Sequence, residues 1–473
     1  MRGGSSLAGD DFDLVRRIYR QVCLTERSLT LMMPITTSPF PRKEFSARRE
    51  RLFDAIGRDA VAIIQGAPPV RAFQLFRQTN EFHYCCGVEI PQAYLLLDGR
   101  DRTARLFIPS RPHGRVNEFG PPSSEDADRI VAVTGLDEVA PTDALRAALS
   151  GAPLIFTPHA PAEGMWTSRD VLLSGDRLIA ADEWDSQPTR EQRFIGLLRE
   201  RCPDAEIRDL TPILDRLRAV KSPSEVELMR RAGQLSAAAV TEAMRATAPG
   251  VSESTLLGIA QYVFASGGAR GEAYRSIIPS GLNAWDGHYG RNDCLMQGGD
   301  LVLMDCAPDY EQYTSDIGRM WPVNGVFSPA QRELYGFVVL FLRVLLQRIR
   351  PGVLAEDIQR EAVEEMREVV ESTAWSKPVY ADAVRRALDF KGYLSHPVGM
   401  AVHDSGSYWD EPLRPGVVLS VDPMIWVPEE RLYIRCEDTV AVTADGNENL
   451  TSAAPLDPDQ IEDEMRKTCR FPI

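Results

Sequence analysis

The segment LMDCAPDYEQYTSDIG (303–318) places two aspartates in a pattern that constrains the fold around it. Apolar, strand-like residues flank a polar middle with turn chemistry. The pattern predicts an antiparallel hairpin centred between Tyr310 and Glu311, with Asp305 directly opposite Asp316. Opposed residues in such a ladder lie about 4.5–5.5 Å apart, and like charges there destabilise the pair. The hairpin therefore needs a partner that neutralises both carboxylates.

A divalent cation between the two aspartates would remove this repulsion. Oxygen ligands suit Mn²⁺, Mg²⁺ or Ca²⁺, and a histidine shifts the preference toward transition metals. Further along the chain, ligand-type side chains occur at His396, Asp422 and Glu437. Taken singly, each of the five is also typical of a solvated turn, a core histidine or an exposed ion pair. The residues alone therefore leave both interpretations open.

Strand alternation separates the candidate ligands from their neighbours. Successive side chains of a strand point to opposite faces, so Arg435 and Glu437 share a face while Cys436 points away. Cys306 points away from Asp305 for the same reason. We therefore assign both cysteines to the core, although they adjoin candidate ligands.

The hydrophobic pattern predicts an extension and two domains. Residues 1–32 lack a clear core pattern, which predicts that residues 1–37 form a flexible extension or that translation begins near Met33. Residues 38–215 alternate helical and strand patterns, as in an α/β domain. Residues 216–473 segregate helices from strands, which indicates an α+β domain. Its predicted strands include 398–404, 416–427 and 432–443.

Two capping boxes mark helix starts in the second domain. Ser-Pro-Ser-Glu at 222–225 and Ser-Pro-Ala-Gln at 328–331 each place proline at the first helical position. Pro-Gly pairs at 249–250 and 351–352 are typical of helix ends. These signals predict long helices after residues 222 and 328.

The net charge and the cysteines narrow the choice of partners and compartment. The chain has 53 Lys and Arg against 68 Asp and Glu, a net charge of −15. Nucleic acids and anionic membranes favour basic surfaces, so neither is expected as the main partner, and the charge fits a soluble enzyme. No run reaches the ~18 apolar residues that span a bilayer. Eight cysteines without a CxxC motif are typical of a reduced compartment, which predicts a cytoplasmic protein.

Longer segments resemble the pita-bread metallopeptidases, most closely the Xaa-Pro aminopeptidases (aminopeptidase P), with prolidase and creatinase as relatives. The five candidate ligands follow the family's chain order of Asp, Asp, His, Glu and Glu, with Asp422 at the first Glu position. The resemblance covers about residues 38–460. It implies a creatinase-type α/β domain followed by an α+β pita-bread catalytic domain. The matching segments are FRQTNEFHYCCGVEIPQAYLLLDG, RAVKSPSEVELMRRA, HYGRND, YTSDIGRMWPVNG, SHPVG, VHDSG and IRCEDTVAVTADGNENLT.

The resemblance implies a centre of two divalent metal ions, with Mn²⁺ as first choice and Zn²⁺, Co²⁺ or Fe²⁺ as alternatives. Asp316 and Glu437 would bridge the ions. Asp305 would bind one ion, and His396 with Asp422 would bind the other. A hydroxide held between the ions is nucleophilic at neutral pH because the metals lower its pKa. It would attack the carbonyl that precedes a proline nitrogen and so release the N-terminal residue of a peptide.

Roles in catalysis follow from the same resemblance. His288 and His403 would contact the substrate near the scissile bond and stabilise charge that develops there. Arg435 would orient a carboxylate, and Asp422 would pass a proton to the leaving nitrogen. Oligomers are common in the family, so we expect a homodimer or a homotetramer.

Four positions depart from the family pattern. Asp422 and Met424 stand where a Glu-Pro-Gly motif is usual, Gly392 replaces a histidine, and Gly318 replaces a threonine. Asp is one methylene shorter than Glu, so its carboxylate lies about 1.5 Å further back, whereas catalytic geometry holds within about 0.5 Å. These changes leave two alternatives open. One is a C–N bond hydrolase or lyase that acts on a small molecule, as creatinase-like relatives do, and the other is a protein-binding member without catalysis.

Overall fold

A computed structural model describes residues 35, 38–70, 73, 75–111 and 122–471. The predicted extension, 1–37, lies outside these residues except for Ile35, which is buried in the N-terminal core. The alternative translation start also lies outside them. Within the described ranges, no helix is long and apolar enough to cross a membrane.

The N-terminal half folds around one mixed sheet. Its strands are β1 Ala60–Gln65, β2 Tyr94–Asp98, β3 Thr103–Ile108, β4 Glu138–Pro141, β5 Leu154–Thr157 and β6 Glu206–Asp209. They lie in the order β4-β3-β2-β1-β5-β6, antiparallel from β1 to β3 and parallel elsewhere. The central strands β1 and β2 are almost fully buried, which explains their nearly continuous apolar sequences.

Helices alternate with these strands, as the sequence predicted. They are α1 Arg42–Ile56, α2 Asn80–Cys86, α3 Ala127–Thr134, α4 Leu145–Ala148, α5 Arg169–Ala181, α6 Arg190–Arg201 and α7 Thr211–Ala219. The α/β class of this half is therefore confirmed.

The C-terminal half begins with long helices. Ser222 and Ser328 each accept the backbone N–H three residues ahead, which confirms both capping boxes. The helices of this half are α8 Pro223–Ala246, α9 Glu253–Ser266, α10 Pro329–Arg348, α11 Ala355–Ser372, α12 Pro378–Asp389 and α13 Pro458–Met465.

An antiparallel sheet carries the candidate ligands of this half. The strands are β7 Leu301–Asp305, β8 Ile317–Pro322, β9 Leu394–Pro397, β10 Val418–Val421, β11 Met424–Val427, β12 Leu432–Arg435, β13 Glu437–Val442 and β14 Asn447–Asn449. The main sheet has the order β7-β8-β13-β10-β9, with β14 beside β13, while β11 and β12 form a separate two-stranded ribbon. Helices and antiparallel strands are segregated, so the α+β prediction is confirmed.

Two of the predicted long strands are each divided in two. Pro423 lacks a backbone N–H, so the chain leaves the sheet after β10 and enters the ribbon at β11. On the partner side, the chain leaves the ribbon at the end of β12 and, after Cys436, enters the main sheet at β13. The ribbon thereby projects from the sheet at the point where Asp422 and Arg435 lie.

The strand predicted at 398–404 is wrong. The strand covers Leu394–Pro397 instead, and residues 398–404 form bends in which the Asp404 N–H donates to the Pro397 carbonyl. Gly399 packs so tightly here that a Cβ would lie 2.1 Å from Asp404 Oδ2. This compact loop holds Asp404 against a buried lysine, Lys221.

The predicted hairpin forms, but its register differs from the prediction. Asp305 pairs with Gly318 rather than with Asp316. The turn is centred between Glu311 and Gln312, which have φ angles of 53° and 67°. Positive φ at both central positions favours glycine and asparagine, so no local signal marked Glu311 and Gln312 as the centre of the turn. A shift of two residues keeps each side chain on its face, and Asp305 and Asp316 still share one.

Buried ion pairs connect the two halves. Arg77 Nε lies 2.5 Å from Asp309 Oδ2 at the base of the hairpin turn. Arg218 reaches Glu163 and Asp404, each at 2.6 Å. All of these groups are nearly inaccessible to solvent. The N-terminal half is thereby fixed against the loops that surround the candidate ligands.

Candidate metal centre

Three of the five predicted ligands converge on one point. Asp316 immediately precedes β8, His396 lies in β9, and Glu437 is the first residue of β13. Their ligand atoms all lie within 4.8 Å of one another. His396 Nε2 is 3.4 Å from Asp316 Oδ2 and 3.9 Å from Glu437 Oε1. Two carboxylates and an imidazole in this arrangement can hold a divalent cation.

Asp305 joins this group through a tyrosine that sequence reasoning missed. The Tyr274 hydroxyl lies 2.6 Å from Asp305 Oδ1 and 2.6 Å from Asp316 Oδ1. Tyr274 lies two residues after Glu272, whose backbone forms a β-bridge with Pro308 beside the hairpin turn. A tyrosine in an irregular segment carries no local signal, so only the fold could reveal this contact.

Arg435 connects the carboxylates across the centre. Its guanidinium lies 3.0 Å from Asp305 and 3.7 Å from Asp422, and it also contacts Glu437 directly. Arg435 and Glu437 therefore share a face, as predicted, while Cys306 and Cys436 are buried in the core. The catalytic role of Arg435 stays a prediction.

Burial dominates the electrostatics of the centre. Burial raises the pKa of Asp316 well above its ordinary value, and the nearby charges of Glu437 and Asp305 raise it further. Burial also raises the pKa of Asp305 and of Asp422. Among the described residues, one guanidinium, that of Arg435, faces the four carboxylates, so the ionised cluster carries excess negative charge.

His396 has the opposite response to burial. Burial, together with the neighbouring His403, lowers the pKa of His396 to about 3. The imidazole is therefore neutral at physiological pH. A neutral imidazole is the form that binds a metal.

Asp422 lies at the edge of the group. It occupies the break between β10 and β11, and its backbone N–H donates to the Tyr393 carbonyl. It does not belong to the set of atoms within 4.8 Å. Its Oδ1 is buried and has no hydrogen-bond partner among the described residues. A cation would satisfy this oxygen, so the donor set fits divalent metal ions.

The two predicted substrate histidines differ in their placement. The His403 ring lies against His396, with ring centroids 4.1 Å apart. Its Nδ1 is 2.7 Å from Asp170 Oδ2 in α5. His288 is exposed on a loop in which its own N–H donates to Asp286. The contacts of the described residues bring His403 to the centre and leave a substrate role for His288 as a prediction.

The departures from the family pattern are accommodated locally. Met424 begins β11 opposite Arg435 in ordinary extended backbone, so no glycine is needed there. Gly318 faces the centre, and a Cβ would lie 3.2 Å from Glu437 Oε2. Gly392 lies beside the exposed ring of Phe390. Gly318 thus leaves room for Glu437.

Comparison with known proteins identifies the family. The profile "Aminopeptidase P, N-terminal domain" matches residues 45–153, and that of metallopeptidase family M24 matches residues 227–444. The Xaa-Pro aminopeptidase of Escherichia coli is 32% identical over 454 residues, which cover 90% of this chain and 98% of that protein. The chain belongs to metallopeptidase family M24. It is therefore a peptidase, and membership implies divalent metal ions.

Solved structures of family members agree with the fold. Escherichia coli aminopeptidase P with the inhibitor Pro-Leu has a TM-score of 0.73 at 30% identity, covering 90% of this chain and 99% of that one. A putative aminopeptidase P from Bacillus anthracis has a TM-score of 0.75 at 25% identity, with the same coverage. These neighbours confirm a pita-bread domain preceded by an aminopeptidase P-type domain.

Proposed function

We propose that this M24 enzyme is an Xaa-Pro aminopeptidase that uses two divalent metal ions, Mn²⁺ in the first instance. The convergence of Asp316, His396 and Glu437, with Asp305 and Asp422 at its edges, carries the proposal. Several relatives are Xaa-Pro aminopeptidases, which supports the substrate class. A zinc-substituted form of the Escherichia coli enzyme supports a metal-dependent reaction.

The five predicted ligands would hold the metal ions. Bound divalent cations would lower the pKa of a water molecule and polarise the scissile carbonyl. Arg435 keeps Asp305 and Glu437 oriented through direct contacts. Tyr274 holds Asp305 beside Asp316. Such fixed carboxylates preserve the geometry that catalysis needs.

The substrate is proposed to enter with its free amino terminus toward the acidic cluster. His403, whose ring centroid lies 4.1 Å from that of His396, would contact the substrate beside the scissile bond. A peptide bond before proline has a tertiary nitrogen, which must receive a proton to leave. Asp422, whose Oδ1 has no partner among the described residues, would carry that proton.

A peptide panel tests the proposal. Purified protein loaded with Mn²⁺ is incubated with Ala-Pro-Ala and with Ala-Ala-Ala, and the released alanine is quantified. We expect release from the proline peptide only, and none from Asp316→Ala. Equal release from both peptides would refute the Xaa-Pro specificity.

A small molecule with a cleavable C–N bond is the second candidate substrate. Asp422, which stands where the family has a longer Glu and lies outside the three-ligand group, favours it, because a shorter side chain changes the volume above the centre. Metal binding without cleavage of any Xaa-Pro peptide would support this alternative. Homodimer or homotetramer assembly stays a prediction, which size-exclusion chromatography with light scattering can check.

A further inference from the structure

One side chain of the N-terminal half reaches into the candidate centre. Asp170 Oδ2 lies 2.7 Å from His403 Nδ1, and the other face of this imidazole packs on His396. Asp170 is the second residue of α5, so the contact spans 233 positions of the chain. Nothing in the sequence around it resembles a catalytic motif.

The start of α5 is fixed in place by its neighbours. Ser168, the N-cap residue, accepts the backbone N–H of His403 at 3.3 Å. Arg169 contacts Asp215 at 2.6 Å and Glu81 at 3.0 Å. Asp170 thus projects from a rigid point toward the catalytic half.

Asp170 contributes little to the packing of α5. No residue of this helix is buried, and Leu178 is 74% exposed. The side chains of Asp170 and His403 are themselves 55% and 38% exposed. An ion pair with this exposure adds little to stability, so the contact serves the orientation of the ring rather than the fold.

The direction of the hydrogen bond follows from the charge of Asp170. Burial would raise the pKa of Asp170, but the hydrogen bond and the charge of His403 hold it below its ordinary value. The carboxylate is then ionised at neutral pH and can only accept. The proton of the bond therefore resides on Nδ1, which leaves Nε2 as the ring atom that faces a ligand.

We propose that Asp170 is a positioning residue, which accepts the Nδ1–H of His403 and so directs Nε2, as a hydrogen-bond acceptor, toward an N–H group of the bound peptide. The inference rests on the proposed peptidase function for its catalytic meaning. Carboxylates that hold an imidazole in one tautomer and one rotamer serve this purpose in other enzymes. The N-terminal half would then contribute to the active site directly, in addition to supporting the fold.

Kinetics on Ala-Pro-Ala test this role. We expect Asp170→Ala to lower kcat about tenfold with little change in KM, while Asp170→Asn, which keeps an accepting oxygen, retains more activity. Asp128→Ala is the matched control, because Asp128 is an exposed acid in the first turn of α3. Equal rates for Asp170→Ala and Asp128→Ala would overturn the proposal.

A double variant separates positioning through His403 from any other effect. In a His403→Ala background, Asp170→Ala should have no further effect on kcat, because its partner is gone. A second tenfold loss in the double variant would overturn the proposal. All variants are expected to keep the wild-type Tm within about 2 °C, since the pair is largely exposed.

Nuclear magnetic resonance tests the geometry without turnover. In ¹⁵N-histidine-labelled protein, the His403 signals are assigned by their absence from His403→Ala. We expect Nδ1 to be protonated in the wild type and the ring to shift toward the Nε2–H tautomer in Asp170→Ala. An unchanged tautomer would overturn the positioning role. Absence of Xaa-Pro cleavage by the wild type would instead refute the proposed function, while this experiment still decides the positioning.

Discussion

Asp316 is a buried carboxylate with two carboxylate neighbours, so its charge should destabilise the metal-free protein. Replacing it with Asn keeps the size of the side chain and supplies an amide donor to Glu437 or Asp305. Hydrogen bonds to charged groups contribute about 1.5–3 kcal/mol. We therefore expect Asp316→Asn to stabilise the metal-free protein by about 2 kcal/mol, or roughly 4 °C in Tm at about 2 °C per kcal/mol.

Bound metal should reverse this difference, so that the Tm of the wild type exceeds that of Asp316→Asn. At a free Mn²⁺ concentration about 100 times the Kd, binding stabilises the wild type by about 2.7 kcal/mol, or roughly 5 °C. Asp316→Asn removes a ligand that both ions would share, so its Tm should hardly respond. Differential scanning fluorimetry with and without Mn²⁺, after treatment with a chelator, measures both values.

Asp309→Asn is the matched control for this experiment. Asp309 is a buried aspartate of the same hairpin, but it pairs with Arg77 at 2.5 Å. Its loss leaves a buried guanidinium unpaired, which costs about 3–5 kcal/mol, and it should leave the Mn²⁺ response intact. The reasoning is refuted if Asp316→Asn lowers the metal-free Tm as Asp309→Asn does, or if it keeps the wild-type Mn²⁺ response.

Three further predictions concern pH, ligand length and the contact between the halves. The raised pKa of the buried aspartates means that the folded state binds more protons than the unfolded state above the ordinary aspartate pKa of about 3.9. The metal-free protein should therefore lose unfolding free energy as pH rises from 5 to 8 in urea titrations, and saturating Mn²⁺ should flatten that dependence. Asp422→Glu should lower the Kd of the Mn²⁺ ion that binds less tightly by about tenfold in calorimetry, since the longer side chain extends the ligand toward the centre. An Asp422→Asn protein that binds Mn²⁺ as tightly as Asp422→Glu would contradict this. Arg218→Met should lower the unfolding free energy by about 3–5 kcal/mol, because it leaves Glu163 and Asp404 buried without their guanidinium, whereas the exposed Arg208→Met should change it by less than about 1 kcal/mol.

The sequence predicted most elements of the fold because their signals are local. Capping boxes at Ser222 and Ser328 correctly predicted the first residue of two helices. The alternating helical and strand patterns of residues 38–215 predicted an α/β domain, and its central strands are buried. Alternation placed Cys306 and Cys436 in the core. Each of these features depends only on residues a few positions apart.

The errors arose where distant residues decide the local structure. The hairpin turn has positive φ at Glu311 and Gln312, and Gln312 is held by Glu89 of the N-terminal half at 2.6 Å. Residues 398–404 form bends because Asp404 meets Arg218 and Lys221. No local pattern encodes these contacts, so the sequence predicted the wrong register and an extra strand.

The candidate site was also predicted only where local residue types carry the signal. Ligand types in family order predicted the group around Asp316, His396 and Glu437 without knowledge of their distances. Tyr274 and Asp170 were missed, because each reaches the site from a segment without a motif. Asp422, like Asp305, lies outside the three-ligand group, so the effect of its shorter side chain stays a prediction.

The most direct test is a titration of metal-free protein with Mn²⁺ in which bound metal and release of alanine from Ala-Pro-Ala are measured on the same samples. We predict two bound ions per chain, turnover that rises with metal occupancy, and the loss of both in Asp316→Asn. Turnover by the chelated protein, or metal binding that survives Asp316→Asn, would contradict the assignment of this cluster as the catalytic metal centre.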